Sequence, residues 1–157
     1  MYAEVFNGPP WFDNWSLETA VAELEYQFCK AGFIGRQATS AGSRIGFAWG
    51  YQLPSENSGR VDYATIRRNL DDAGYTSLDA FYLSEVGVKL PAQGAGVGTA
   101  LLRLLDERAA HPVVAMRTMN PVMVRVAQKV YGDPTLSFAE ESAYAGGKIY
   151  VYDRNRR

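Results

Sequence analysis

Apolar residues recur along the chain first with a helical period and then in alternation. Leu17, Val21, Leu24 and Phe28 make one stripe on a helix expected from about residue 16 to residue 31. Ser16 suits its N-cap, Glu18 its positive end, and Gly32 its stop. Residues 2–6 read as the end of a shorter helix broken by Gly8-Pro9-Pro10. Two strands follow, over residues 33–40 and 44–53, with Ala41-Gly42-Ser43 as the hairpin turn. In the second strand Ile45, Phe47, Trp49, Tyr51 and Leu53 alternate with Arg44, Gly46, Ala48, Gly50 and Gln52, giving a bulky face and a small one. The small face leaves room for either a packed helix or a ligand.

A polar loop over residues 54–59 leads to a helix over about 61–72, with Tyr63, Ile66 and Leu70 on one side and Gly74 at its end. Residues 79–88 read as a strand, and 89–98 as a glycine-rich connection. A helix over 97–110 carries Val97, Ala100, Leu101, Leu104 and Leu105 on one stripe. A short strand over 112–118 precedes Asn120-Pro121, a cap followed by proline at the first helical position, with Met123, Val126, Ala127 and Val130 on the inner face. Strands over about 136–140 and 148–152 finish the chain. The order α, α, β, β, α, β, α, β, α, β, β predicts an α/β class, a mixed β-sheet flanked by helices.

The 157 residues make one domain, 47% hydrophobic and 21% charged, long enough to bury a full core. Sixteen basic against 17 acidic side chains argue against a nucleic-acid surface. Single Cys and His residues argue against a disulfide framework and a Cys/His metal site, and no metal is expected. No run of 18 apolar residues exists to span a membrane, and the start lacks a signal peptide's basic and apolar regions, so a cytoplasmic protein is expected. Residues 1–79 carry net −4 and 80–157 net +3, but three of the later arginines sit in the tail 153–157, expected to be a frayed end.

The informative stretch runs from Phe81 to Leu102, where a strand feeds a glycine-rich turn that opens directly into a helix. Gly94, Gly96 and Gly98 permit a tight turn, and the first helical N–H groups form an anion site. A plain strand-to-helix loop is the simpler alternative. A dinucleotide fingerprint fails because Thr99 stands where a third glycine belongs, and no Gly-Lys follows at P-loop spacing. What fits is Gln-x-x-Gly-x-Gly, as Gln93, Gly96 and Gly98. This resembles the acetyl-CoA signature of the GNAT superfamily of N-acetyltransferases. Glu85-Val-Gly-Val ahead of it, Asn120 after the next strand, Val5-Phe6, Pro10-Trp11, Trp15-Ser16 and residues 45–50 are similar as well, so the resemblance spans about residues 2–152.

The resemblance implies a splayed sheet, with acetyl-CoA as co-substrate and its thioester in the gap. Backbone N–H groups of Gln93, Gly94, Ala95, Gly96, Val97, Gly98 and Thr99 would hold the pyrophosphate. The strand edge at Val86, Gly87 and Val88 would pair with the pantetheine arm, and Asn120 would touch it further along. The family's first strand would precede Tyr2, so the first edge strand is expected to be missing or truncated. Many members place a thiolate-protonating tyrosine where this chain has Ala127; Tyr131, one turn later, is the substitute candidate, or else a packing tyrosine. A homodimer is the assembly the resemblance suggests.

Transfer to a primary amine needs a base, because such amines have a pKa of about 10.4. Glu85 is the candidate base, with backbone hydrogen bonding or pairing with Arg117 as the structural alternative; the Val86 N–H would hold the oxyanion. His111 is expected to cap a helix, Cys29 to be helix core, and Trp11, Trp15, Trp49 and Tyr51 to be core or acceptor wall. Glu140, Glu141 and Tyr144 would lie near the acceptor mouth. The expected activity is acetyl transfer to a small-molecule amine by direct attack. A protein amine, or a non-catalytic acyl-CoA-binding module, is the alternative.

Overall fold

The computed structural model describes residues 1–9, 11–57, 61–139 and 147–156. The order of elements is the expected one. Helices α1 (Tyr2–Phe6) and α2 (Leu17–Phe28) precede the hairpin β1 (Ile34–Ser40) and β2 (Ser43–Gln52). Then come α3 (Tyr63–Asp72), β3 (Ala80–Val88), α4 (Val97–Asp106), β4 (Val113–Thr118), α5 (Pro121–Tyr131), β5 (Leu136–Ala139) and β6 (Lys148–Asp153). The six strands make one mixed sheet in the order β1-β2-β3-β4-β6-β5, with β3 and β4 parallel and every other pair antiparallel. Residues 2–6 are helical, so no strand comes from that segment, as expected.

The hairpin closes with Ala41 and Gly42 at φ 48° and 76°, the left-handed pair of a two-residue turn matched to strand twist, and Ser43 already belongs to β2. The alternation in β2 settles what lies on each face. Phe47, Trp49 and Tyr51 face α1, α2 and α3, where Tyr2 stacks against Trp49 and Phe47. The small face takes a helix: a Cβ on Gly46 would come within 3.3 Å of Leu101 and Val97 of α4. Leu101, Leu102, Leu105, Ala127 and Tyr131 of α4 and α5 fill the core on that side. Tyr63, Ile66 and Leu70 of α3 are buried on the other.

Four expectations are corrected. Most of the α2 stripe does not face inward: Leu17 is 81% exposed, Phe28 53% and Val21 44%, whereas Leu24 packs on the core and Ala20 and Gln27 are buried. Small Ala20 lets the helix lie close to α1, and Gln27 finds hydrogen-bond partners inside, so burying that amide does not leave it unsatisfied. Cys29, just past this helix, is exposed. The tail is anchored at Arg154, whose guanidinium bonds the carbonyls of Ala109, His111 and Asp106 and pairs with the Asp106 carboxylate at 2.9 Å. His111 caps no helix with its ring, which stacks on Phe81 and lies 3.1 Å from the Asp79 carbonyl oxygen through Nδ1.

Candidate active site

Two local features of β3 create the site. Register with β4 covers only Ala80–Leu83 against Val113–Met116, and beyond it the two parallel strands part. Register with β2 slips between Trp49 and Gly50, which face Glu85 and Leu83, so Ser84 is an extra residue in a β-bulge. In a regular strand Ser84 and Glu85 would point to opposite faces. The bulge returns Glu85 to the face of its partner Trp49, where Ser84 also bonds Tyr51 and Gln27.

The backbone of the parted segment is oriented by one further bond. Lys89 N–H donates to the Ile45 carbonyl on β2 at 2.9 Å. Antiparallel ladders alternate, so residues 85 and 87 also address β2, while Val86 and Val88 turn their N–H and C=O groups to the edge that β4 has left. At the end of β3, Gln93 Nε2 donates to the Val88 carbonyl at 2.9 Å and fixes the following turn. Gly94 and Gly96 hold φ 78° and 81°, left-handed values that favour glycine. A Cβ on either would meet no atom within 4 Å, so that side of the turn is not filled by protein. No side chain caps α4 at Gly96, leaving its first N–H groups available to an anion. The open edge, the uncapped helix start and the unfilled glycine turn fit an extended, phosphate-bearing co-substrate.

The parted strands open into a cavity of about 550 Å³. Ser84, Glu85 and Val86 line it from β3, and Met116, Arg117 and Thr118 from β4. Beyond them stands a wall from α1, α2, α3 and the loop between the first two helices, including Trp11 and Trp15, with Tyr51 of β2. Trp49, by contrast, is core: it is 5% exposed and stacked on Phe47. The wall is held by a clasp in which Asn7 Nδ2 donates to the Trp15 carbonyl and Asn7 Oδ1 accepts from its N–H. Lys89 pairs with Glu4 at 2.9 Å, tying α1 to the end of β3.

A directed chain of hydrogen bonds crosses the floor. Gln27 Nε2 donates to Glu23 Oε1 at 2.7 Å, since a flipped amide would set oxygen against the carboxylate. Gln27 Oε1 therefore accepts from Ser84 Oγ at 3.1 Å, and Ser84 accepts from the Tyr51 hydroxyl at 3.2 Å. Tyr51, its proton committed to Ser84, accepts from Tyr63 at 2.8 Å. Burial pushes the Tyr51 phenol far above its ordinary pKa, with Tyr63 adding to the shift, so Tyr51 keeps its proton.

Among the sequence candidates, the structure brings Glu85 and Val86 together at the cavity, with Val88 and the turn 93–99 along the same edge. Asn120 Oδ1 caps α5 through the Val122 N–H at 2.9 Å, leaving its amide N–H groups as the part able to reach a bound arm. Tyr131 is corrected: 3% exposed, it packs on Tyr152 in the core beneath α4 and α5 and does not line the cavity. Glu140, Glu141 and Tyr144 lie outside the described residues. Sequence reasoning missed Glu23, Gln27, Tyr63 and Ser84. The polar pair Glu23 and Gln27, at i and i+4, was visible in the sequence, but nothing local marked that face as the buried one.

No family model and no curated protein matches the sequence. Solved structures do match in shape. Against yncA of Salmonella typhimurium with its cofactor acetyl-CoA, the TM-score is 0.64 at 15% identity, over 98% of this chain and 83% of that one. The fold is that of the GNAT acetyltransferases. A GNAT-family protein from Desulfovibrio desulfuricans matches with TM-score 0.55 at 16% identity, over 88% of this chain and 81% of the other. The ribosomal-protein-alanine N-acetyltransferase of Brucella melitensis matches at 0.59 and 18%, over 89% and 78%. At these identities the likeness shows the fold alone. Among the described residues no helix is long and apolar enough to cross a membrane, and no group of three metal-ligating side chains occurs.

Proposed function

We propose that the protein is an acetyl-CoA-dependent N-acetyltransferase acting on a primary amine of a small molecule. The observation that carries this reading is the free edge of β3 beyond Leu83, running from a cavity with a carboxylate to an uncapped, glycine-built helix start. The GNAT fold supports it, as does the presence of acetyl-CoA in the yncA structure. In this reading the N–H groups of residues 93–99 take the pyrophosphate and Val86 and Val88 pair with the amide-bearing arm. The thioester then lies beside Glu85. Glu85 removes a proton from the bound ammonium, and the amine nitrogen attacks the thioester carbon. The Val86 N–H holds the developing oxyanion; the carbon–sulfur bond then breaks, the attacking nitrogen loses its second proton, and the thiolate gains one, leaving the amide and free CoA.

A cavity of about 550 Å³ reached between two strands suits a small acceptor. Release of free thiol from acetyl-CoA in the presence of an amine library tests the activity. Affinity without thiol release would instead establish a binding module, and turnover only with peptides a protein acceptor. Gly96→Glu puts a side chain and a negative charge into the unfilled side of the turn. It should abolish the rise in Tm that acetyl-CoA gives the wild type by mass action. Equal rises in both proteins would refute the assignment of the turn.

A further inference from the structure

We propose that the acceptor is an amine on a ring-bearing, hydroxyl-poor body, an arylalkylammonium ion; this rests on the acetyl-transfer reading and specifies its substrate. The wall presents rings: Trp11, Trp15 and Tyr26 line the cavity, backed by the buried rings of Tyr2 and Tyr63. Among the described residues, charge on the wall is mainly of one sign, with carboxylates at Asp13, Glu23 and Glu85 against the Arg117 guanidinium on the β4 side of the gap. Ring faces and carboxylates together attract an organic cation, through the ring quadrupole and through charge.

The polar groups between the rings are largely committed to one another. Tyr51, Ser84 and Gln27 form the directed chain that ends on Glu23, and Trp15 Nε1 donates to Asp13 Oδ2 at 3.1 Å. Ser84 uses its one proton on Gln27 and accepts from Tyr51, so it offers no donor to a sugar-like ligand. The carboxylates could accept from a few hydroxyls, but an acceptor bearing many would set the rest against ring faces that cannot satisfy them, which is costly. A phenyl or larger ring instead exchanges water for apolar and aromatic contact. The Asn7 clasp holds the Trp11–Trp15 segment in place, so the ring wall is preformed.

The test uses the full chain, with and without CoA, and reads tryptophan fluorescence and calorimetric heat on titration with four probes. These are 2-phenylethylamine, its neutral analogue 2-phenylethanol, ethanolamine and the aminoglycoside kanamycin. The expected result is 2-phenylethylamine binding at least about tenfold tighter than each of the others, the ring and the charge both being required. Trp15→Leu should weaken that binding about tenfold while the Tm rise given by acetyl-CoA persists. Glu23→Gln, which keeps shape and removes charge, should narrow the gap between 2-phenylethylamine and 2-phenylethanol. Tighter or equal binding of kanamycin or ethanolamine, or no binding of any probe, overturns the inference. Amine binding without any effect of acetyl-CoA on Tm would overturn the acetyl-transfer reading instead, so the two failures are distinct.

Discussion

At the β3 bulge two successive side chains, Ser84 and Glu85, share a face, and each has a different task. Ser84 locks the bulge to β2 and α2 through Tyr51 and Gln27. Glu85 is thereby presented beside Val86, whose N–H addresses the gap. If Glu85 is the base, Glu85→Gln preserves size and hydrogen bonding but cannot take the amine proton. Turnover at pH 7 should fall by about 10² to 10⁴, with acetyl-CoA affinity almost unchanged. Part of the rate should return as pH rises toward about 10, because the acceptor is then increasingly neutral without help. Rates of both proteins measured from about pH 6 to about pH 10 check this. Wild-type turnover by the variant at pH 7 would make Glu85 a structural carboxylate.

Element by element, the helix starts show why the glycine turn stands out. Asp62 caps α3 by accepting from the Thr65 N–H at 3.1 Å and from its hydroxyl at 2.6 Å, and α2 and α5 have Ser16 and Asn120. Only α4, of these four, begins without a side-chain cap. The bond from the Thr65 hydroxyl, followed by that from its backbone N–H, holds the Asp62 carboxyl below its ordinary pKa. Because the folded pKa is depressed, the stabilisation is present above the unfolded value of about 3.9 and is lost as acid protonates the folded group. Asp62→Ala should therefore cost about 1 kcal/mol near neutral pH, and the difference from wild type should shrink below about pH 4. Urea unfolding of both proteins at several pH values decides it; a difference that stayed constant into acid would show that the carboxylate is not the stabilising species.

For the whole molecule, α4 links the two ends of the problem. Its uncapped first turn is the anion site proposed above, and its last turn is gripped by Arg154, just past β6. Removing that guanidinium would take its donors from the His111 and Asp106 carbonyls and break the 2.9 Å pair with the Asp106 carboxylate, 8% exposed, while the Ala109 carbonyl keeps the His111 N–H. Arg154→Met should lower global stability by about 2 to 4 kcal/mol, read as a shift in the urea midpoint with an unchanged slope. An unmoved midpoint would mean that water satisfies those groups. The same lever distinguishes fold from site: at a temperature where the variant is still folded, its acetyl-CoA affinity should match the wild type.

How much was legible beforehand follows from the range of each interaction. Helical and alternating periods, the Ser16 and Asn120 caps and the glycine turn are local, so the order of elements and the open helix start at Gly96 could be read from neighbouring residues alone. The two faces of β2 were also visible, though not that α4 would fill the small one. What tertiary structure decided are matters of partnership. A bulge exists only relative to the opposing strand, so the pattern of residues 79–88 gave no sign that Glu85 would share a face with Ser84. The α2 helix buries Gln27 and exposes Leu17 because distant Ser84 satisfies the amide, a contact 57 residues away that no helical period encodes. Tyr131 went to the core because Tyr152, from the far end of the chain, packs against its ring. Local chemistry specified the elements and the glycine-built turn, whereas long-range pairing chose which side chains face the cavity.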